Sequence, residues 1–209
     1  MAQNKDLTHS RLADEKFHTD FTEGLAYGDY LNLAELLSAQ KLRSSAHDEM
    51  LFVVIHQCSE LWMKLMIHEL SAAVHLLQED RLRPALKMTA RVSQIQDQLT
   101  QSWSILATMT PTDYLTFRDT LGAASGFQSF QYRTLEFTMG NKDRKFLSPH
   151  KDRPEWHNTL EAVLNAPSLY DETIMLLARK GFAIDASERD RDWSEPRDAN
   201  DSVRAAWVE

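Results

Sequence analysis

The 209 residues carry 43% hydrophobic and 9% aromatic side chains, enough for one ordinary domain with a real core and too many for a chain disordered throughout. A balance of 23 basic against 31 acidic residues gives a net charge of -8, which repels phosphate backbones and argues against nucleic acid as a partner. No long apolar stretch is free of charges, the N-terminus MAQNKDLTHSRLADEKFHTD has no apolar signal core, and Cys58 stands alone without a disulfide partner, so we expect a cytoplasmic protein with no membrane partner.

Six Gly and six Pro fall between periodic segments, and no run alternates apolar with polar residues. The expected fold is therefore all-α, an elongated helical bundle forming a single domain over residues 1–209, with one long buried central helix. Residues 1–26 are polar and weakly periodic and read as an N-terminal arm. The first helix is expected over Asp29–Gln40. Ser45 with Asp48 resembles a capping box for the long helix, Asp48–Gln78, whose sequence DEMLFVVIHQCSELWMKLMIHELSAAVHLLQ is apolar around most of its circumference. One polar row runs along it: His56, Glu60, Lys64, His68, Ser71 and His75 keep helical spacing, and Phe52 stands one turn before His56. Cys58 is expected to be buried on the face away from His56. Pro84 suits the first turn of a further helix that runs to about Met109 with Trp103 on its inner side.

Thr110, Pro111 and Asp113 then read as a helix start and Gly122 as its stop, which places Tyr114 and Arg118 four apart on one helical face. Ser125 and Gln128 form another capping box, expected to open a helix through Phe127 and Phe130 to Met139. Residues 141–152 read as a charged connection. Helices are expected over Pro154–Asn165 and Pro167–Lys180, the second begun by Ser168 and Asp171. From Asp185 onward the chain is charged and poorly periodic and reads as a solvated loop.

An imidazole inside an apolar helix is costly without a partner, which makes His56 a candidate functional group. The bland alternative is a core histidine satisfied by a carbonyl or by Glu60, and the sequence around it favours that reading when taken alone. Glu60 and Lys64 are spaced for an ion pair, and His68 and His75 continue the row toward a solvated edge. Tyr114 and Arg118 could flank one volume beside the Gly122–Gly126 loop, where the planar guanidinium fork grips a carboxylate bidentately; pairing with a surface acid competes with that reading. Ser125 is most simply an N-cap, although a helix start with free N–H groups also suits an anion. Metal signatures are weak: there is no H-E-x-x-H and no C-x-x-C, and one E-x-x-H, Glu15 with His18, falls in the arm. Together these residues describe a pocket for a flat apolar molecule bearing a carboxylate.

The segments FVVIHQCSELWMKL, YGDYLNLAELLSAQ and YLTFRDTLGAASGFQSFQYRTLEF, the last containing the ungapped string R-D-T-L-G-x-x-S-G-F-Q-S-F-Q-Y-R, resemble the haem-dependent tryptophan 2,3-dioxygenases from about Phe21 to the C-terminus. The resemblance implies an oxidoreductase with haem b as cofactor and O2 as co-substrate, opening the indole ring of L-tryptophan to N-formylkynurenine at the start of the kynurenine pathway. It makes His56 the catalytic residue that accepts a hydrogen bond from the indole N–H, with Phe52, Val53, Val54 and Ile55 contacting substrate and Tyr114 and Arg118 at its carboxylate. Tyr27, Tyr30 and Leu31 would close a neighbour's pocket in a homotetramer, while Trp103, Ser125 and Gly126 would border the haem. The family's axial His, in a W-R-x-x-H-like context, has no counterpart here. No metal ligand is assigned in this chain, His150 and His157 included, and the axial His is expected beyond Glu209. The 209 residues alone are expected to hold haem poorly and to be inactive. Two other readings stay open: a non-catalytic helical interaction module that docks through residues 27–40 onto a partner helix, and a related haem indole oxygenase that keeps His56 without needing Arg118.

Overall fold

A computed structural model describes residues 26–208, and every described element is helical. Residues 1–25 of the expected arm, with Glu15 and His18, lie outside the described residues. The chain separates into two compact units, Met1–Lys41 and Leu42–Glu209.

In the first unit the single helix expected over Asp29–Gln40 is two short ones, α1 (Tyr27–Tyr30) and α2 (Leu33–Leu37). Asn32 breaks the run by adopting φ 51°, a left-handed conformation that asparagine tolerates, and its amide donates to the Glu35 carboxylate. Tyr27, Tyr30, Leu31 and Leu37 are all exposed.

The second unit is framed by an antiparallel hairpin of α3 (His47–Gln78) and α4 (Leu82–Leu106), with Pro84 in the first turn of α4 as the sequence predicts. Asp80, at φ 60°, turns the chain between them. There follow α5 (Pro111–Leu115), 3-10 turns at Arg118–Leu121 and Gly126–Gln128, α6 (Phe130–Met139) and a 3-10 segment Arg144–His150. The chain then runs through α7 (Pro154–Asn165), α8 (Leu169–Arg179), α9 (Ala186–Arg189) and α10 (Asp201–Val208). Helix α3 packs against α4, α6 and α8, so it is central as expected.

Its burial is a stripe rather than the whole helix. Met63, Met66, Leu70, Ala73 and Leu77 are buried in its C-terminal half, where Val92 and Ile95 of α4 and Leu135 of α6 meet them. Toward the N-terminus, Met50, Val54, Cys58, Leu61 and Trp62 form an exposed stripe on α3. Cys58 is thus exposed, against expectation. By length and composition α3 is apolar enough to cross a membrane, but its lower half is a core helix of the bundle.

The start of α3 also differs from the sequence reading. The N-cap is Ala46, with no side-chain bond, and Ser45 caps nothing. Buried Glu49 instead reaches back to accept from the backbone N–H groups of Arg43 and Ser44, both at 2.7 Å, and from the Ser44 hydroxyl. Those donors, the hydroxyl foremost, hold its carboxyl below the usual carboxylate range.

The segment read as a charged connection and the one read as a solvated loop both contribute packed structure. In the connection after α6, Leu147 and His150 are buried, and the buried Lys142 ammonium donates to the carbonyls of Val163, Leu164 and Ala166 at the end of α7. Burial lowers the Lys142 pKa to about 8. Past Asp185, Val203 and Ala206 bury with Ile184 against Ile174, and Arg197 pairs with both Asp171 and Glu188. Charge-rich sequence hid these contacts because only a few of its charges turn inward, Lys142 onto backbone carbonyls and Arg197 onto Asp171 and Glu188.

Candidate active site

The site lies where the sparsely covered N-terminal half of α3 meets α5. The start of α5 follows its sequence: the Thr110 hydroxyl accepts from the Asp113 N–H at 3.2 Å, the Asp113 carboxylate accepts from the Thr110 N–H at 3.0 Å, and Pro111 holds the first position. Its end does not. The helix stops at Leu115, and Arg118 begins a separate 3-10 turn, so Tyr114 and Arg118 do not share one helical face. The hydroxyls of Thr116 and Thr120 take the carbonyls of Asp113 and Phe117 at 2.5 and 2.6 Å, competing with helical continuation, while Phe117 leaves the helix at φ -127°.

This break still gathers three of the predicted groups, Phe52, His56 and Tyr114. The Phe52 ring lies 4.1 Å from the His56 ring, 5.9 Å from Tyr114 and 5.6 Å from Phe117, centre to centre. Tyr114 and Phe117 meet edge to face at 5.5 Å and 87°. His56 Nδ1 is 2.7 Å from the Phe52 carbonyl oxygen. A carbonyl only accepts, so Nδ1 carries the proton and Nε2 of the neutral ring is an acceptor, with no partner among the described residues. The bland reading of His56 therefore holds for one nitrogen and leaves the other available. Arg118 Nη1 donates to the Gly122 carbonyl at 3.0 Å, and Arg118 forms no ion pair with a described carboxylate. Gly122, at φ 56°, supplies a turn that a residue with a side chain rarely adopts.

Val53 and Ile55 are half-buried on either side of His56, whereas Val54 is exposed and points away from it around the helix. Glu60 and Lys64 do not pair as their spacing predicts: Gln131 of α6 donates to both the carboxylate and the backbone carbonyl of Glu60 at 2.8 Å. His68 and His75 are exposed as expected, His75 lying 3.2 Å from Glu79. Ser125 caps a 3-10 turn rather than the predicted long helix, whose α-helical part begins five residues later at Phe130 under Ser129. Phe117, fully buried, was missed because a lone Phe among threonines has no pattern in sequence.

A cleft of about 570 Å³ adjoins this region, lined by Glu60, Lys64, Ser125, Gly126, Phe130 and Trp156 among others. Ser125 and Gly126 are exposed, nothing crowds the space a Cβ would take at Gly122 or Gly126, and the large rings of Trp103 and Phe127 face outward at 64% and 78% exposure. Exposed aromatic faces, a hydroxyl and a lysine suit a flat apolar disc with carboxylate edges. Trp103 and Phe127 do not line that cleft, and no group of described His, Cys, Asp or Glu side chains forms a metal centre.

The tryptophan 2,3-dioxygenase family model matches residues 13–209. The chain belongs to that family. A tryptophan 2,3-dioxygenase of Bacillus cereus is 52% identical over 198 residues, covering 95% of this chain and 71% of that protein. One from Cupriavidus necator is 56% identical over 190 residues, covering 91% and 65%, and one from Burkholderia pseudomallei is 55% identical over 189 residues, covering 90% and 62%. The chain therefore spans about two thirds of the length of these dioxygenases. Family membership selects the enzyme reading over the interaction module.

Proposed function

We propose that the protein acts as a tryptophan 2,3-dioxygenase, in which haem and O2 oxidise L-tryptophan to N-formylkynurenine. The observation that carries the reading is the ring cluster of Phe52, His56, Tyr114 and Phe117, with an acceptor at His56 Nε2 and, directly after Phe117, the Arg118 guanidinium, which has no acidic partner among the described residues. Burying an indole of about 200 Å² at about 25 cal/mol per Å² supplies about 5 kcal/mol before ordering costs, so the rings provide adhesion. Polar groups at the two ends provide orientation. His56 Nε2 accepts the indole N–H and fixes the ring in one register; Arg118, aided by the Tyr114 hydroxyl, takes the carboxylate and rejects analogues that leave the guanidinium unpaired. Haem, when bound, supplies the activation of O2; Ser125, Gly126 and Trp103 are the residues of this chain that would border it.

The same reading makes the protein a cytoplasmic homotetramer whose Tyr27, Tyr30 and Leu31 segment closes a neighbouring subunit's pocket. Exposure of both tyrosines at 73% and the bare stripe from Met50 to Trp62 on α3 support it. Residues 42–209 would then act as one helical domain carrying the catalytic groups.

Isotope labelling tests the activity. Full-length, haem-loaded protein given L-tryptophan and 18O2 should yield N-formylkynurenine carrying both labelled atoms. A product with one labelled atom, or none, contradicts a dioxygenase.

A further inference from the structure

We propose that Phe117 is a positioning residue for the substrate carboxylate, a keystone that sets where the Arg118 guanidinium stands relative to Phe52 and His56. The inference rests on the reading above and deepens it by naming what fixes the distance between the two polar ends of the site.

Phe117 is fully buried, yet it belongs to none of the apolar clusters that hold the bundle together. Its ring contacts are with site residues: edge-on to Phe52 at 5.6 Å and 63°, and to Tyr114 at 5.5 Å and 87°. Its backbone is equally committed. The carbonyl accepts from both the N–H and the hydroxyl of Thr120, at 3.0 and 2.6 Å, and the N–H donates to the Tyr114 carbonyl at 3.3 Å. Arg118 follows at once, opening the 3-10 turn and donating to Gly122. The chain between α5 and the glycine loop is thus pinned to α3 through one ring. Without that ring the turn carrying Arg118 has no fixed register against α3, whereas His56 keeps its own anchor, the Phe52 carbonyl on the same helix. Loss of Phe117 should therefore damage recognition of the carboxylate more than recognition of the indole.

The test is a double-mutant cycle on full-length, haem-loaded protein, read by calorimetric binding of L-tryptophan and of tryptamine, which lacks the carboxylate. Phe117→Ala should weaken L-tryptophan binding about 10- to 100-fold and tryptamine binding by much less. Combined with Arg118→Leu, it should add no more than about 2-fold to the loss from Arg118→Leu alone, because both changes remove the same contact. Phe117→Leu should recover most of the affinity and carries the same cycle if the alanine variant does not fold. Leu160→Ala, in a separate buried cluster, should lower the melting temperature while leaving the ratio of the two affinities unchanged. Losses that multiply in the double variant, or equal losses for the two ligands, overturn the proposal. Because binding is measured rather than turnover, loss of the dioxygenase reading registers separately, in the isotope experiment.

Discussion

The Nδ1 atom of His56 lies 2.7 Å from the carbonyl oxygen of Phe52, one turn earlier on α3. That bond sets the tautomer, so the ring presents an acceptor at Nε2, and any substitute must present one at the same place. His56→Ala is expected to lower kcat/KM for L-tryptophan about 100-fold, the scale of a lost orienting contact, with haem uptake retained. 1-Methyl-L-tryptophan, which has no indole N–H to donate, should distinguish the two proteins far less. Steady-state kinetics and the Soret absorbance check both parts, and loss of haem in the alanine variant would place His56 on the iron instead.

Arg118 has no acidic partner among the described residues; its hydrogen bond to the Gly122 carbonyl leaves other guanidinium N–H groups for a carboxylate. Arg118→Leu should reduce kcat/KM for L-tryptophan by about 30-fold to several thousand-fold, as removal of a desolvated charge contact of about 2 to 5 kcal/mol requires. Arg118→Lys should recover little, since an ammonium cannot reproduce bidentate geometry. Kinetics unchanged in either variant would remove Arg118 from the site.

Stability away from the site turns on Gly140, which ends α6 at φ 104° with the Asn141 N–H donating to the Glu136 carbonyl. A Cβ there would meet Ser168 Oγ at 3.3 Å. Gly140→Ala combines a left-handed backbone with that tight contact, so a loss of about 1 to 3 kcal/mol is expected in urea unfolding. An unchanged unfolding midpoint would show that neither effect operates.

Acid should weaken the fold through His150. Burial first, then the charges of Arg133 and His157, holds its pKa below 6.5 in the folded protein. The unfolded chain takes up this proton at about 6.5 while the folded one resists until lower pH, so stability is lost as pH falls through that window. Urea midpoints at about pH 7.5 and 5.5 should differ less in His150→Gln than in the wild type, once the shared carboxylate contribution is subtracted. Equal differences would show that His150 contributes nothing.

Sequence made the helices legible where local chemistry decides them. Thr110 with Asp113 and Ser168 with Asp171 form capping boxes, and α7 occupies the predicted Pro154–Asn165. Breaks imposed by tertiary packing were not legible: Phe117 sinks beneath Phe52 and ends α5 early, Asn32 turns left-handed, and Glu49 caps the preceding loop rather than Ser45 capping α3. Within the site, the neighbourhood of Phe52, His56 and Tyr114 could be read from spacing and resemblance, because two residues one turn apart on a helix must be neighbours. Long-range pairings such as Gln131 with Glu60 leave no periodic trace.

The most direct measurement is a crystal structure of the full-length, haem-loaded protein with L-tryptophan. The account predicts the indole nitrogen within hydrogen-bond distance of His56 Nε2, the ring against Phe52, and the carboxylate on the Arg118 fork. Tryptophan bound with its carboxylate away from Arg118, or with its indole nitrogen turned from His56, would contradict it.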